Sequence, residues 1–326
     1  MTLHPECRSV RTPFTELRTG WTGAYGYYGS VSTDGFDGAT VTLPLDRDEL
    51  VFQGHYRGFP IFAGVFLVET AHRAALVHTP ADVPRLRLAR LESARFLHPS
   101  YPGDTLHFTL RWKRDTQGWV CRVTAATDDH QVARIRLRYE SADAPVAPLP
   151  AVGGPAAGEP ASGSRAGLGP LSLPEVMARI PHRDQLLLID RVDTFHPGDR
   201  VTAVKAVTFG EPWYRWLADE AADPGAYSYP IGLLMESFNQ AAAVLATAER
   251  ANTDVLADEV LMLGGYTDLA FGTPVLPGDL LEHSVRLART VDGVQIFEGT
   301  TRVRGEVVLT VGAAVLARRP AGALVG

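Results

Sequence analysis

The sequence is poor in cysteine and lysine. Two cysteines in 326 residues, Cys7 and Cys121, cannot form a disulfide framework, which fits a reducing compartment, and the cytoplasm is the expected location. Lysine occurs only at 113 and 205, so nearly all positive charge is arginine, which we read as coding bias. No apolar run reaches bilayer-spanning length, and the N-terminus, with Glu6 and no apolar core, has no signal-peptide pattern. The net charge of −6 argues against non-specific nucleic-acid binding. No His, Cys or Asp cluster shows metal-ligand spacing along the chain, and no serine sits in a nucleophile-elbow setting. Gly153-Gly154 lies among Pro and Ala and is no phosphate loop. What remains, 45% hydrophobic and 21% charged, is globular material of two-domain length.

One stretch organises the rest. Gly54–Arg73 begins as a Gly-rich turn, punctuated by Gly58, Pro60 and Gly64, and continues as a helix apolar on almost every side to about Val77. His55 lies in the turn, and Glu69 lies inside the helix, where a carboxylate needs a partner. Arg73, one turn on, is a candidate, with reach to solvent the alternative. His72 and His78 read as helix-surface or helix-end residues. Upstream, 1–40 reads as turns and edge strands, and Gly38–Leu45 alternates as a strand. Downstream, strands are expected at 85–96, 104–114, 118–126 and 131–139, with a Pro102-Gly103-Asp104 turn.

Residues 142–170 are mostly Pro, Ala, Gly and Ser and read as a flexible linker. The pattern then repeats. A short helix at 173–180 precedes Pro181-His182-Arg183 and Leu187-Leu188-Ile189-Asp190-Arg191. A strand is expected at 201–208, then a second apolar helix at 229–249 carrying Glu236. Strands follow at 260–271, 279–290, 294–303 and 306–318, with Pro277-Gly278-Asp279 echoing the earlier turn. The expected domains are therefore 1–141 and 171–326, joined by the linker.

The turn-and-helix stretch resembles the hot-dog-fold 3-hydroxyacyl-acyl-carrier-protein dehydratases. It keeps their Gly-His opening, Gly58, Pro60, Gly64 and an acid fourteen residues after the histidine, and departs at Tyr56, Arg57 and Ala63. The Pro181-His182-Arg183 segment resembles the same family's opening motif. This implies an α+β double hot dog, two antiparallel sheets each wrapped round an apolar helix. It also implies elimination of water from a 3-hydroxyacyl thioester to a trans-2-enoyl thioester, in fatty-acid or polyketide synthesis. The partner implied is an acyl carrier protein bearing the substrate on phosphopantetheine, with no metal or redox cofactor, no nucleic acid and no membrane; a homodimer is possible.

The resemblance also divides the labour. No histidine lies between His196 and His283, and fourteen residues before Glu236 stands Ala222. The second helix keeps the family's acid-x-x-x-Gln as Glu236 and Gln240, whereas Arg73 stands in the first. The implied catalytic set is His55, Glu236 and Gln240, with the Gly64 N–H as oxyanion donor. Glu69 and Ala222 form a dead counterpart. Gly58, Phe59, Phe62, Phe66 and Phe238 are expected against substrate. The chemistry suits such a set: neutral imidazole takes a proton, and a carboxyl whose pKa burial raises donates one. His182 is assigned to ordering its segment. A structural glutamate at 236, or a Gln240 that merely satisfies backbone, is the plainer reading of those two. The arginines at 85, 87, 90, 95, 111 and 114 with Lys113 could dock an acidic carrier or form a solvated face. The alternatives for the whole chain are a hot-dog thioesterase, an enoyl isomerase, and a non-catalytic partner subunit.

Overall fold

The computed structural model describes residues 31–32, 38–56, 58–80, 83, 85–151, 169–214, 224–251, 254 and 259–323. The expectations for 1–30, for Arg57 and for Ala222 lie outside them. The first half runs β1 (Val31–Ser32), β2 (Gly38–Pro44), α1 (Leu50–Gly54), α2 (Gly64–Val77), β3 (Leu86–Phe96), β4 (Thr105–Asp115), β5 (Gly118–Ala126) and β6 (Gln131–Ser141). The second runs α3 (Leu173–Met177), β7 (Arg191–His196), β8 (Arg200–Ala206), α4 (Ile231–Ala246), β9 (Glu259–Phe271), β10 (Leu280–Val291), β11 (Val294–Val303) and β12 (Glu306–Pro320). Alternation drives the strands: in β4, Leu106, Phe108, Leu110 and Trp112 turn inward and the residues between them do not.

All twelve strands join one antiparallel sheet in the order β1-β2-β4-β5-β6-β3-β9-β12-β11-β10-β8-β7. The halves meet where β3 pairs with β9, Arg90 opposite Ala270 and Arg95 opposite Gly265. Gly265 has φ 156°, and a Cβ there would stand 2.3 Å from the Ala94 carbonyl oxygen, so the seam closes on glycine. Each half curls round its helix. Every residue of α4 from Gly232 to Leu245 is buried, as are Val65 to Ala71 of α2. The two helices touch: a Cβ on Gly232 would lie 3.0 Å from the Cβ of Glu69. Double hot dog is the fold.

The duplication is visible in single hydrogen bonds. In the first half, Gly103 N donates to Leu45 O and Leu45 N to Asp104 O, while the Asp104 carboxylate accepts from Tyr101 N. In the second, Gly278 N donates to Val207 O and Val207 N to Asp279 O, while the Asp279 carboxylate accepts from Leu276 N. Both Pro-Gly-Asp turns thus do the same work, with Gly103 at φ 100° and Gly278 at φ 97°.

Some expectations change. The helix read over 173–180 stops at Met177, and the short α1 and β7 had no reading of their own. The linker does not begin free: Thr310 Oγ1 donates to Pro150 O and Arg87 to Pro145 O, so residues before 152 lie along the body. No helix among the described residues is long and apolar enough to cross a membrane.

Candidate active site

His55 follows directly on α1, and the close approach that places it belongs to Gly54. A Cβ on Gly54 would fall 2.4 Å from the Arg183 carbonyl oxygen, and Arg183 N donates to Gly54 O. The Gly-His turn of the first half is therefore pressed onto the Pro-His-Arg segment of the second. Tyr56 strengthens the junction by donating its hydroxyl to Leu261 O of β9. Its ring stacks on His55, centroids 4.0 Å apart.

His182, which the sequence reading assigned to ordering its segment, lies in the site instead. Its Nε2 is 3.1 Å from Glu236 Oε1, and its ring meets the His55 ring edge-on with centroids 5.2 Å apart. His55, His182 and Glu236 are all buried, and their ligand-capable atoms lie within 4.8 Å of one another. The sequence could not show this cluster, because three distant segments supply it. Their number and spacing would admit a metal ion, yet Glu236 Oε1 already accepts from His182 and from Gln240. We therefore read the three as a hydrogen-bonded set.

Gln240 sits one turn behind Glu236. Its amide donates to Glu236 Oε1 and to Leu186 O, and its Oε1 accepts from Leu188 N. It is fully buried and ties α4 to the Pro-His-Arg segment. It orients the glutamate, and the plainer reading, satisfaction of nearby backbone, holds alongside.

A cavity of about 350 Å³ opens beside these residues. His55, His182 and Glu236 line it, as do Gly64 at the start of α2 and Phe62. Along α4 and its C-cap it follows Glu236, Asn239, Ala243 and Thr247, spaced as one helical face. Phe96, unforeseen, lines it too, and a Cβ on Gly64 would lie 2.8 Å from that ring. Four of the five expected substrate contacts do not line it. Phe66 and Phe238 belong to the main core, and Phe59 packs in a separate cluster with Tyr56, Ile61 and Val260. Gly58, with φ 75°, shapes the turn and does not face the cavity. None of the seven basic residues proposed for docking lines it either, and Arg87 and Arg90 pair with Glu140 and Asp268; the arginine at the cavity is Arg319.

Burial, then the neighbouring His182, lowers the His55 pKa to about 4, against the opposing pull of Glu236 and the Ile61 carbonyl. His55 is thus neutral at neutral pH, the form in which a ring nitrogen is open to accept a proton. The expected rise for Glu236 does not occur. Burial pushes it up, but the hydrogen bond from His182, the electrostatic influence of the His182 and His55 imidazoles and the Gln240 amide together hold it below the ordinary carboxylate value. The counterpart Glu69 is closed off: it ion-pairs with Arg73 and accepts from Gly232 N at the head of α4. Burial raises its pKa, and Arg73, His72 and the Gly232 N–H bring it down past the usual value. His72 is held by the Tyr139 hydroxyl, 3.0 Å away.

Residues 32–135 match the family model for ApeI-like dehydratases, and 180–312 match that for FabA-like domains. A 3-hydroxyacyl-[acyl-carrier-protein] dehydratase FabZ from Yersinia enterocolitica is 32% identical over 155 residues, covering 48% of this chain and 88% of the relative. The FabZ of Halorhodospira halophila is 37% identical over 144 residues, 44% of this chain and 89% of the relative. This chain belongs to the FabZ family of 3-hydroxyacyl-[acyl-carrier-protein] dehydratases. One FabZ relative corresponds to about half of it. The whole fold is matched by the dehydratase domain of PpsC from Mycobacterium tuberculosis, with TM-score 0.61 and 14% identity, covering 94% of this chain and 100% of that one. It is matched also by the dehydratase domain from the CurJ module of curacin polyketide synthase, with TM-score 0.60 and 11% identity, 90% of this chain and 96% of that one. In this FabZ-family chain, two hot dogs lie end to end in one polypeptide.

Proposed function

We propose that the chain dehydrates a 3-hydroxyacyl thioester to a trans-2-enoyl thioester at a single site built jointly by its two halves. Dehydration of a 3-hydroxyacyl thioester in fatty-acid or polyketide biosynthesis is the activity of its family, and the chain is an enzyme of that kind. The substrate arrives on the phosphopantetheine arm of an acyl carrier protein in the cytoplasm. One chain contains both halves of the site, and a homodimer would simply double it. The observation that carries the reading is the convergence of His55 from the first half with Glu236 from the second on one cavity.

Neutral His55 takes the C2 proton, the C–H electron pair becomes the C2–C3 double bond, and the C3–O bond breaks. The departing hydroxide takes a proton from the Glu236 side and leaves as water. The Gly64 N–H, at the positive end of α2, stabilises the negative charge that builds on the thioester oxygen. The reaction is redox-neutral and calls for no metal or redox cofactor.

The test is mass spectrometry of carrier-bound 3-hydroxyacyl substrates. His55→Ala and Glu236→Ala are expected to lose at least about 10³-fold in enoyl formation. Glu69→Gln is expected to keep turnover per folded molecule while losing about 3–5 kcal/mol of stability, because it breaks a buried pair. Full activity in His55→Ala, or loss in Glu69→Gln equal to that in Glu236→Ala, refutes the assignment.

A further inference from the structure

His182 faces ionisable groups from two sides: His55 and Tyr56 from the first half, and Glu236 from α4. Glu236 in turn faces His182, His55, Gln240 and, across from β9, Tyr266. His98 and Arg319 also line the cavity. Arg183 is turned away, its guanidinium bonded to the carbonyls of Met177, Ile180 and His182. Nothing else among the described residues engages the far nitrogen of His182, since its Nδ1 is buried with no partner.

We propose that His182 and Glu236 act as one acid, a hydrogen-bonded couple that stores the proton delivered to the departing C3 hydroxyl. The proposal rests on the dehydratase reading of this site. His182 acts through Glu236 and is a positioning residue. The couple begins with a proton on His182 Nδ1 and one transferable proton between Nε2 and Oε1, so giving up the latter leaves a neutral imidazole beside an ionised carboxylate. His55 removes the C2 proton, and the C–H pair forms the new double bond. The C3–O pair goes to oxygen, which takes the couple's proton and leaves as water. His55 then holds one proton too many and the couple one too few, and transfer between them resets the site.

Two features of the site require this. A carboxyl held below its ordinary pKa is ionised near neutrality and has no proton to give by itself. An imidazole 3.1 Å away can hold that proton and share it. The hydrogen bond also aims the carboxyl toward the cavity that both residues line.

His182→Gln tests it, because the amide keeps an N–H for Glu236 but cannot carry the proton. Dehydration kcat is expected to fall about 10²-fold with KM within about threefold of wild type. The basic limb of the kcat–pH profile is expected to move to lower pH, since a proton shared by two sites is held more tightly than by one. His182→Ala should show at least the same loss. Wild-type kcat with an unmoved basic limb in His182→Gln overturns the proposal. A second measurement avoids any folding defect. In the wild-type chain, the proton between His182 Nε2 and Glu236 Oε1 should appear by NMR as one strongly deshielded resonance coupled to the His182 ring nitrogen, and an ordinary, unshifted ring N–H resonance overturns it. An active His55→Ala would sink the dehydratase reading itself. An inactive His55→Ala beside a fully active His182→Gln would sink only the couple.

Discussion

At the scale of single residues, sequence spacing picked out side chains that the fold brings together, but not their states. His55 and Glu236 were legible because the first sits in a Gly-rich turn and the second in an apolar helix. His182 was not: its motif says nothing about what faces it from another segment. Nor can a sequence count the donors round a carboxylate, and for Glu236 those donors outweigh burial. Phe66 and Phe238, expected against substrate, lie away from the cavity for a related reason. An apolar helix has inner faces on several sides, and only one of them borders the cavity. Glu49, just before α1, shows the reverse balance. It is buried with Oε2 unpartnered, and burial together with Asp46 raises its pKa to about 8. The folded chain then keeps a proton that the unfolded chain gives up above about pH 4.5, so stability falls as pH rises from there to about 8. Glu49→Gln is expected to raise Tm by at least about 2 °C at pH 8 and to leave it unchanged near pH 4, read by thermal melts at both values.

At the scale of elements, the strands were readable from alternation, and their observed bounds lie within a residue or two of those expected. Short or polar elements were not. α1 has five residues, and β7 (Arg-Val-Asp-Thr-Phe-His) buries only Val192 and Phe195. Yet α1 delivers His55, and its contact with the Pro-His-Arg segment has no room for a methyl group at Gly54. Gly54→Ala is expected to push the two segments apart, with a cost of about 1–3 kcal/mol and at least a tenfold loss in kcat. Gly103→Ala is the control. Its φ of 100° imposes strain, but nothing lies within 4 Å of the added atom, so stability should fall and kcat should hold. Equal kcat losses in the two variants would show that the Gly54 contact has no special bearing on the site.

At the scale of the whole molecule, the duplication was evident from two Pro-Gly-Asp turns and two glutamate-bearing helices. The closure of both halves into a single sheet was not, because pairing between β3 and β9 leaves no local mark beyond Gly265. The assembled core also encloses imidazoles. Burial is the leading cause that lowers His55 and His72 to about 4 and His283 to about 3. These rings stay neutral in the folded chain while the unfolded chain binds protons below about pH 6.5. Their contribution is level above that value and is lost as pH falls toward 4. Glu49 works in the opposite direction over part of the range but is one group against three. Urea midpoints should therefore decline between pH 6.5 and 4.5, and a rise over that interval would contradict the buried, neutral assignment.

The closed carboxylate at Glu69 has a consequence for how such a chain can change. When two identical subunits face each other, any replacement strikes both catalytic centres at once. Here a replacement strikes one place only. The sealed side is free to accumulate packing improvements that would ruin a working centre, while the open side keeps its reactive groups under separate constraint.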